Sequence, residues 1–110
     1  MRLTGNKYRN KPTVCGEGHK HRSKKEANRC NELELMQKAH IIRDLKVEVP
    51  YVLIEKTKLE RACKYYADFD YYDETGQHIV EDTKGKRTKE YIIKRKLFRT
   101  RFPDIKFIET

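Results

Sequence analysis

Tryptophan is absent from this chain, and no apolar run approaches the ~18 residues that a membrane-crossing helix needs. The N-terminal stretch also lacks the apolar core of a signal peptide, so a cytoplasmic protein is expected. Cysteine is scarce. Cys15, Cys30 and Cys63 are odd in number and show no CxxC spacing, which argues against a disulfide framework. Neither an internal repeat nor a second domain is visible. Acidic residues are in deficit: 17 Asp and Glu against 26 Lys and Arg leave a net charge of +9. On 110 residues, enough for one domain with a single core, that surplus favours a polyanionic partner, most simply nucleic acid.

Charged residues make up 39% of the chain, and the mean hydropathy is −1.00. Those values alone would permit disorder. Tyr, Phe, Ile, Leu and Val recur with period, however, so a folded domain with a very polar surface is expected. Residues 1–22, rich in Lys, Arg, Asn and Gly, read as a basic arm with room for one short strand. Ser23 is placed to cap a helix running to about residue 39. Residues 45–54 alternate, with Leu45, Val47, Val49, Tyr51 and Leu53 on one face, and Pro50 marks an edge or a bend. A charged loop follows over residues 55–61, then two strands at residues 64–72 and 77–84. Thr88 caps a second helix to about residue 102, and residues 105–108 read as a last strand. The order is α-β-β-β-α-β. The closing strand-helix-strand unit predicts a crossover that leaves its two strands parallel, with the helices on one face of the sheet or on both.

The chemistry concentrates in residues 68–84. A three-residue loop, Glu74-Thr75-Gly76, with Gly76 in the left-handed conformation, pairs Asp73 with Gln77. Counting outward pairs Asp70 with Val80 and Asp68 with Asp82. Since side chains alternate along a strand, Asp68, Asp70, Asp82 and Lys84 share one face. Two carboxylates directly opposed repel unless a cation lies between them. A hard divalent ion such as Mg²⁺ is served by oxygen ligands and keeps several waters. Asp68, Asp82 and the Thr83 backbone carbonyl are the candidate ligands. The ion would acidify a water for attack on a phosphodiester, and Lys84 would orient that water and offset transition-state charge. The plainer alternative is a wet sheet face with an Asp–Lys cross-strand pair, which leaves Asp68 opposite Asp82 unexplained. Asp70, nearer the hairpin tip, reads as a solvated or supporting acid. Glu81 points to the other face, and a one-residue slip in register would exchange it for Asp82.

Glu26 falls between Cys30 and Leu33 at the centre of the helix face that should meet the sheet. An acid there needs a reason: either it joins the site, or it closes a capping box with Ser23. On the second helix Tyr91, Phe98 and Phe102 line one side and Ile93 and Leu97 the adjoining one, which leaves Lys94 inside the apolar stripe. Lys94 either snorkels or contacts a phosphate. Lys86, Arg87, Lys89, Arg95 and Lys96 surround it and are candidate contacts to a nucleic-acid backbone. Cys15, His19 and His21 match no strong zinc spacing, so His19 and His21 are expected to touch DNA or solvent. Tyr65, Tyr66, Tyr71 and Tyr72 have three open roles: core, interface or stacking surface.

Taken together, these residues resemble the PD-(D/E)xK nuclease superfamily. The likeness comprises Glu26 on the first helix, Asp68 in the strand Ala67-Asp68-Phe69, Asp82-Thr83-Lys84 after a hairpin, and then a basic helix. It spans about residues 23–109, with Ala67 where the superfamily has proline. The blocks Ser23-Lys24-Lys25-Glu26-Ala27, Val80-Glu81-Asp82-Thr83-Lys84-Gly85 and Lys94-Arg95-Lys96-Leu97-Phe98 are similar to a family of small phage-encoded proteins. That family is grouped with Holliday-junction-resolvase-like and end-cleaving transposon endonucleases. The resemblance implies a restriction-endonuclease-like α/β core over residues 23–110, with a central mixed sheet flanked by two helices, preceded by the arm of residues 1–22. It also implies Mg²⁺-dependent hydrolysis of DNA, with Mn²⁺ as substitute, leaving a 5′-phosphate. Asp68 and Asp82 would bind metal, Lys84 would be the catalytic lysine and Glu26 the helix-borne acid. A phage protein acting in the cytoplasm of a bacterial host follows, with branched or junction DNA as substrate. Junction cleavage needs two sites and hence a homodimer, for which no seam is legible. The competing expectation is a catalytically silent DNA-binding or inhibitory protein on the same fold.

Overall fold

The computed structural model describes residues 13–14, 20–21, 23–83 and 87–110, and the side chains of 23–83 and 87–110. Two two-residue strands, β1 (Thr13–Val14) and β2 (Lys20–His21), pair antiparallel within the expected arm. They are followed by α1 (Lys24–Lys38), β3 (Ile42–Ile54), β4 (Cys63–Asp73), β5 (His78–Asp82), α2 (Lys89–Arg101) and β6 (Lys106–Glu109). From α1 onward this is the predicted α-β-β-β-α-β order. Cys30 and Cys63 form no disulfide, and among the described residues no helix is long and apolar enough to cross a membrane.

Both helices begin where side-chain capping predicts. The Ser23 Oγ accepts from the Glu26 amide at 3.2 Å, and the Thr88 Oγ1 accepts from the Tyr91 amide at 3.1 Å. Each bond satisfies one of the amides left over in a first turn. α1 ends without a glycine. His40 takes the left-handed conformation (φ 63°), its amide bonds to the Gln37 carbonyl at 3.0 Å, and the Ile41 amide bonds to the Met36 carbonyl at 2.9 Å. Those two bonds make a Schellman stop, here with histidine accepting the strain usually left to glycine.

The main sheet has the order β3-β4-β5-β6, with β6 parallel to β5 and the other pairs antiparallel. β3 is an edge strand, which accommodates Pro50. α1 and α2 cover opposite faces. Ala27, Cys30 and Leu33 of α1 pack on Phe69, Tyr71 and Ile79. Tyr91 and Phe98 of α2 pack on Val80 and Phe107. Neighbouring residues Ile79 and Val80 thus serve different cores, as strand alternation requires.

Two expectations are corrected here. The alternating row of β3 does not stay on one face, because Leu45 and Val47 pack on the α1 side while Val49, Tyr51 and Leu53 pack on the α2 side. Glu48 lies between them with φ at 54°. A left-handed residue inside a strand turns the following side chains to the other face, and pattern alone does not reveal it. On α2 it is Ile92, not Ile93, that joins Leu97 and Phe102 against the core; Ile93 is exposed.

α1 is latched to its face by charge as well as by apolar contact. Glu81 is fully buried, and Arg29 meets it with both prongs, Nε to Oε1 at 2.9 Å and Nη2 to Oε2 at 2.6 Å. The Tyr71 hydroxyl also donates to Oε2. A buried carboxylate stripped of such a partner is strongly destabilising, whereas replacing the whole pair by apolar groups is often neutral. Arg29→Met is therefore expected to lower unfolding free energy by about 3 kcal/mol. Adding Glu81→Leu should restore much of that loss, as read from urea midpoints.

Candidate active site

The hairpin carrying the acids forms in the predicted register. Asp73 and Gln77 are bonded through the Asp73 amide and Gln77 carbonyl at 3.0 Å, and Gly76, at φ 89°, donates to the Asp73 carbonyl at 3.0 Å. Asp73 also organises the loop with its side chain. Its Oδ1 accepts from the Thr75 amide (2.9 Å), the Thr75 hydroxyl (2.6 Å) and the Gln77 amide (3.0 Å). These donors hold the Asp73 carboxyl below its usual pKa, the Thr75 hydroxyl most strongly. The ladder then runs Tyr72↔His78, Tyr71↔Ile79, Asp70↔Val80 and Phe69↔Glu81. The ladder ends there, and Asp68 and Asp82 are the next residues on the two strands. Ala67 packs on the α2 side and Phe69 on the α1 side, so β4 changes face at Asp68.

Each of those two aspartates is fixed by a neighbour. Asp68 is half-buried, and its Oδ2 accepts from the Thr83 amide at 2.8 Å and the Thr83 hydroxyl at 3.0 Å. Asp82 is fully buried, and its Oδ2 accepts from the Tyr65 hydroxyl. Burial pushes the Tyr65 phenol well above its usual pKa, helped by the negative charge of Asp82 and then of Asp68. The same hydroxyl therefore senses both carboxylates. The engaged groups of Thr83, proposed as a carbonyl ligand, are its amide and hydroxyl, which orient Asp68.

A pocket of about 310 Å³ opens beside them, lined by Asp68, Tyr65, Tyr66, Glu48, Thr88, Tyr91, Glu90 and Lys94. Lys94 thus stands in the same hollow as Asp68, its Nζ 3.2 Å from Glu90. Of the other basic candidates, Lys89 and Lys96 lie exposed on α2. Arg87 and Arg95 are engaged within the chain. Arg87 Nη2 lies 3.0 Å from Glu109 Oε1, and Arg95 Nη1 lies 3.1 Å from Oε2. Lys84, Lys86 and His19 fall outside the described residues, as does the side chain of His21, and Cys15 with them.

Glu26 is buried on α1 among the residues that face the sheet, and its amide donates to the Ser23 Oγ, one of the two bonds of a capping box. Among the described residues, no three of His, Cys, Asp and Glu stand close enough to hold one ion. Glu26, Asp68 and Asp82 therefore do not form a single three-carboxylate cluster. Asp70 is not solvated. It is buried, accepts from Tyr51 through Oδ2, and has His78 Nε2 2.7 Å from Oδ1. Tyr72 stacks on His78, with ring centroids 4.5 Å apart, and Arg43 lies 4.6 Å above the Tyr72 ring.

Four tyrosines prove to be the unrecognised part of this site. Tyr51, Tyr65, Tyr71 and Tyr91 each donate to one acid: Asp70, Asp82, Glu81 and Glu109 respectively. The Tyr65–Tyr72 cluster therefore divides, with Tyr65 and Tyr71 in the core and Tyr66 exposed. The available signal was the abundance of tyrosine beside acids on strands that also had to be buried, since a buried phenol seeks an acceptor.

Glu109 was also missed. It pairs across β5–β6 with Asp82 and gathers Arg87, Tyr91 and Arg95. Arg87 first, then Tyr91 and Arg95, depress its carboxyl from 4.5 to about 2. A depressed carboxylate adds stability that is complete above its unfolded pKa and lost as pH falls through the folded one. In urea unfolding, wild type should exceed Glu109→Gln by a constant margin from neutral pH down to about pH 4.5. That margin should shrink below it and vanish near pH 2.

Comparison with known proteins yields no matching curated protein and no matching solved structure. Residues 5–109 match one family, described as a protein of unknown function (DUF1064), and the chain belongs to that family.

Proposed function

We propose that this protein is a Mg²⁺-dependent endonuclease that hydrolyses DNA phosphodiesters on a restriction-endonuclease-like core of PD-(D/E)xK type. The observation that carries the reading is the hairpin register. It leaves Asp68 and Asp82 as the next residues on their strands, both acting on the Tyr65 phenol, and Asp68 lines a hollow that also holds Lys94. The mixed sheet between two helices is consistent with that core.

The donor set fits a hard divalent ion. Mg²⁺ needs only one or two carboxylates, because it retains several waters, and Asp68 and Asp82 supply two that are rigidly held. Bound there, the ion would supply Lewis-acid activation and neutralise charge at the phosphate. The rest belongs to the chain. Thr83 aims the Asp68 carboxylate and Tyr65 aims that of Asp82, so neither must reorganise when substrate arrives. Lys94 and the Thr88 end of α2 line the space into which a phosphate fits. Lys84, next after Thr83, is the proposed catalytic lysine, and Glu26 a supporting acid on the α1 side.

Isosteric replacement tests this reading. Asp68→Asn or Asp82→Asn should reduce Mg²⁺-dependent cleavage of branched, nicked or linear DNA by more than about a hundredfold, beyond the cost of losing a mere supporting contact. Both variants should still bind DNA. Undiminished cleavage in either variant would overturn the site. One observation favours a second reading, a silent DNA-binding protein: both carboxylates already have intramolecular donors, and among the described residues no third acid joins them in a metal-holding group. Wild-type protein that binds these DNAs but cleaves none in Mg²⁺ or Mn²⁺ would establish it.

A further inference from the structure

A second hollow adjoins the candidate site from the other side of the sheet. The contact between Thr83 and Asp68 links them. The Thr83 amide and hydroxyl hold Asp68, which lines the first pocket, while Thr83 itself lines a groove of about 590 Å³ beside α1. Lys24, Lys25, Asn28, Arg29, Glu32 and Thr110 complete that groove. Its charges are unequal in availability. Arg29 is spent on Glu81 and on Glu32, the one acidic side chain among the described lining residues. Lys24 and Lys25 are exposed and, among the described residues, form no ion pair.

We infer that this groove is a DNA-backbone site, holding the strand that continues past Thr83 from the pocket of Asp68. The inference rests on the nuclease reading and extends it, because it assigns Lys24, Lys25 and Asn28 to substrate binding. Lysine ammonium groups serve phosphate as point charges without demanding a fixed geometry, and the Asn28 amide adds a neutral donor. Contacts of this kind position a nucleic acid without reading its sequence. With the net charge at +9, two exposed lysines over a groove at the edge of the site complement a polyanion. Asp68 lines the neighbouring pocket and not this groove.

The test is the salt dependence of binding, which does not depend on cleavage. Binding of fluorescently labelled branched DNA would be followed by anisotropy in EDTA across a NaCl series. The proteins compared are wild type, Lys24→Ala with Lys25→Ala, and Lys56→Ala with Lys58→Ala on the β3–β4 loop as a control of equal charge. Alanine suits an exposed helical position, so the first variant should fold. Two lost phosphate contacts should flatten the plot of log K against log salt by about 1.8 and weaken binding by roughly fiftyfold near ~0.1 M salt. The control should keep the wild-type slope. Unchanged slope in the Lys24/Lys25 variant, or equal flattening in the control, overturns the groove while leaving the nuclease reading intact. Absence of DNA binding by wild type overturns both.

Discussion

The register of the β4–β5 hairpin is the constraint on which everything else depends. A side chain in a strand has only two directions, so a slip of one residue in β5 would send Asp82 to the α1 face and put Glu81 in its place. The loop prevents this. Gly76 adopts a conformation that is costly for other residues, and Asp73 gathers three donors within five residues. Further along the ladder, the two faces enforce the same choice by chemistry. Glu81 finds Arg29 and Tyr71 on one side, and Asp82 finds Tyr65 on the other. Exchanging them would strand both acids.

Burying acids in a small sheet is expensive unless each finds a donor. Here the donors are mostly phenols. Tyrosine suits the task because its ring fills the core while its hydroxyl reaches the carboxylate. Tyr65 does both, packing on Phe98 and Phe107 while bonding Asp82. Tyr51 does the same between Phe98, Phe102 and Asp70. Packing of the aromatic core thus sets the direction of the acids, so the stability of the fold and the geometry of the candidate site are not independent. The third device is Thr83, whose backbone and side chain act on one oxygen of Asp68 and couple it to the end of β5.

Much of this was legible in the chain. The caps Ser23 and Thr88, the loop with Gly76, the edge strand with Pro50, the parallel last pair and the outward turn of Glu81 from the acid face all follow from local rules, and local rules held. What escaped was non-local or conformational. Nothing in the alternation of β3 signals that Glu48 is left-handed, so its row was assigned to one face instead of two. The partners of Asp70, Glu81, Asp82 and Glu109 lie 8 to 52 residues away in the chain, and no spacing rule reaches that far. Arg87 and Arg95 looked like free cations for DNA because the acid they serve, Glu109, sits on a strand that comes beside them only in the fold.

The central claim is that Asp68 and Asp82 together hold a divalent ion, and calorimetric titration with Mn²⁺ tests it without reference to cleavage. Wild-type protein should take up the ion, with Mg²⁺ competing for the same site. Asp68→Asn and Asp82→Asn should each weaken uptake by at least about tenfold. Equal uptake by wild type and both variants, or no uptake by wild type, would contradict the account.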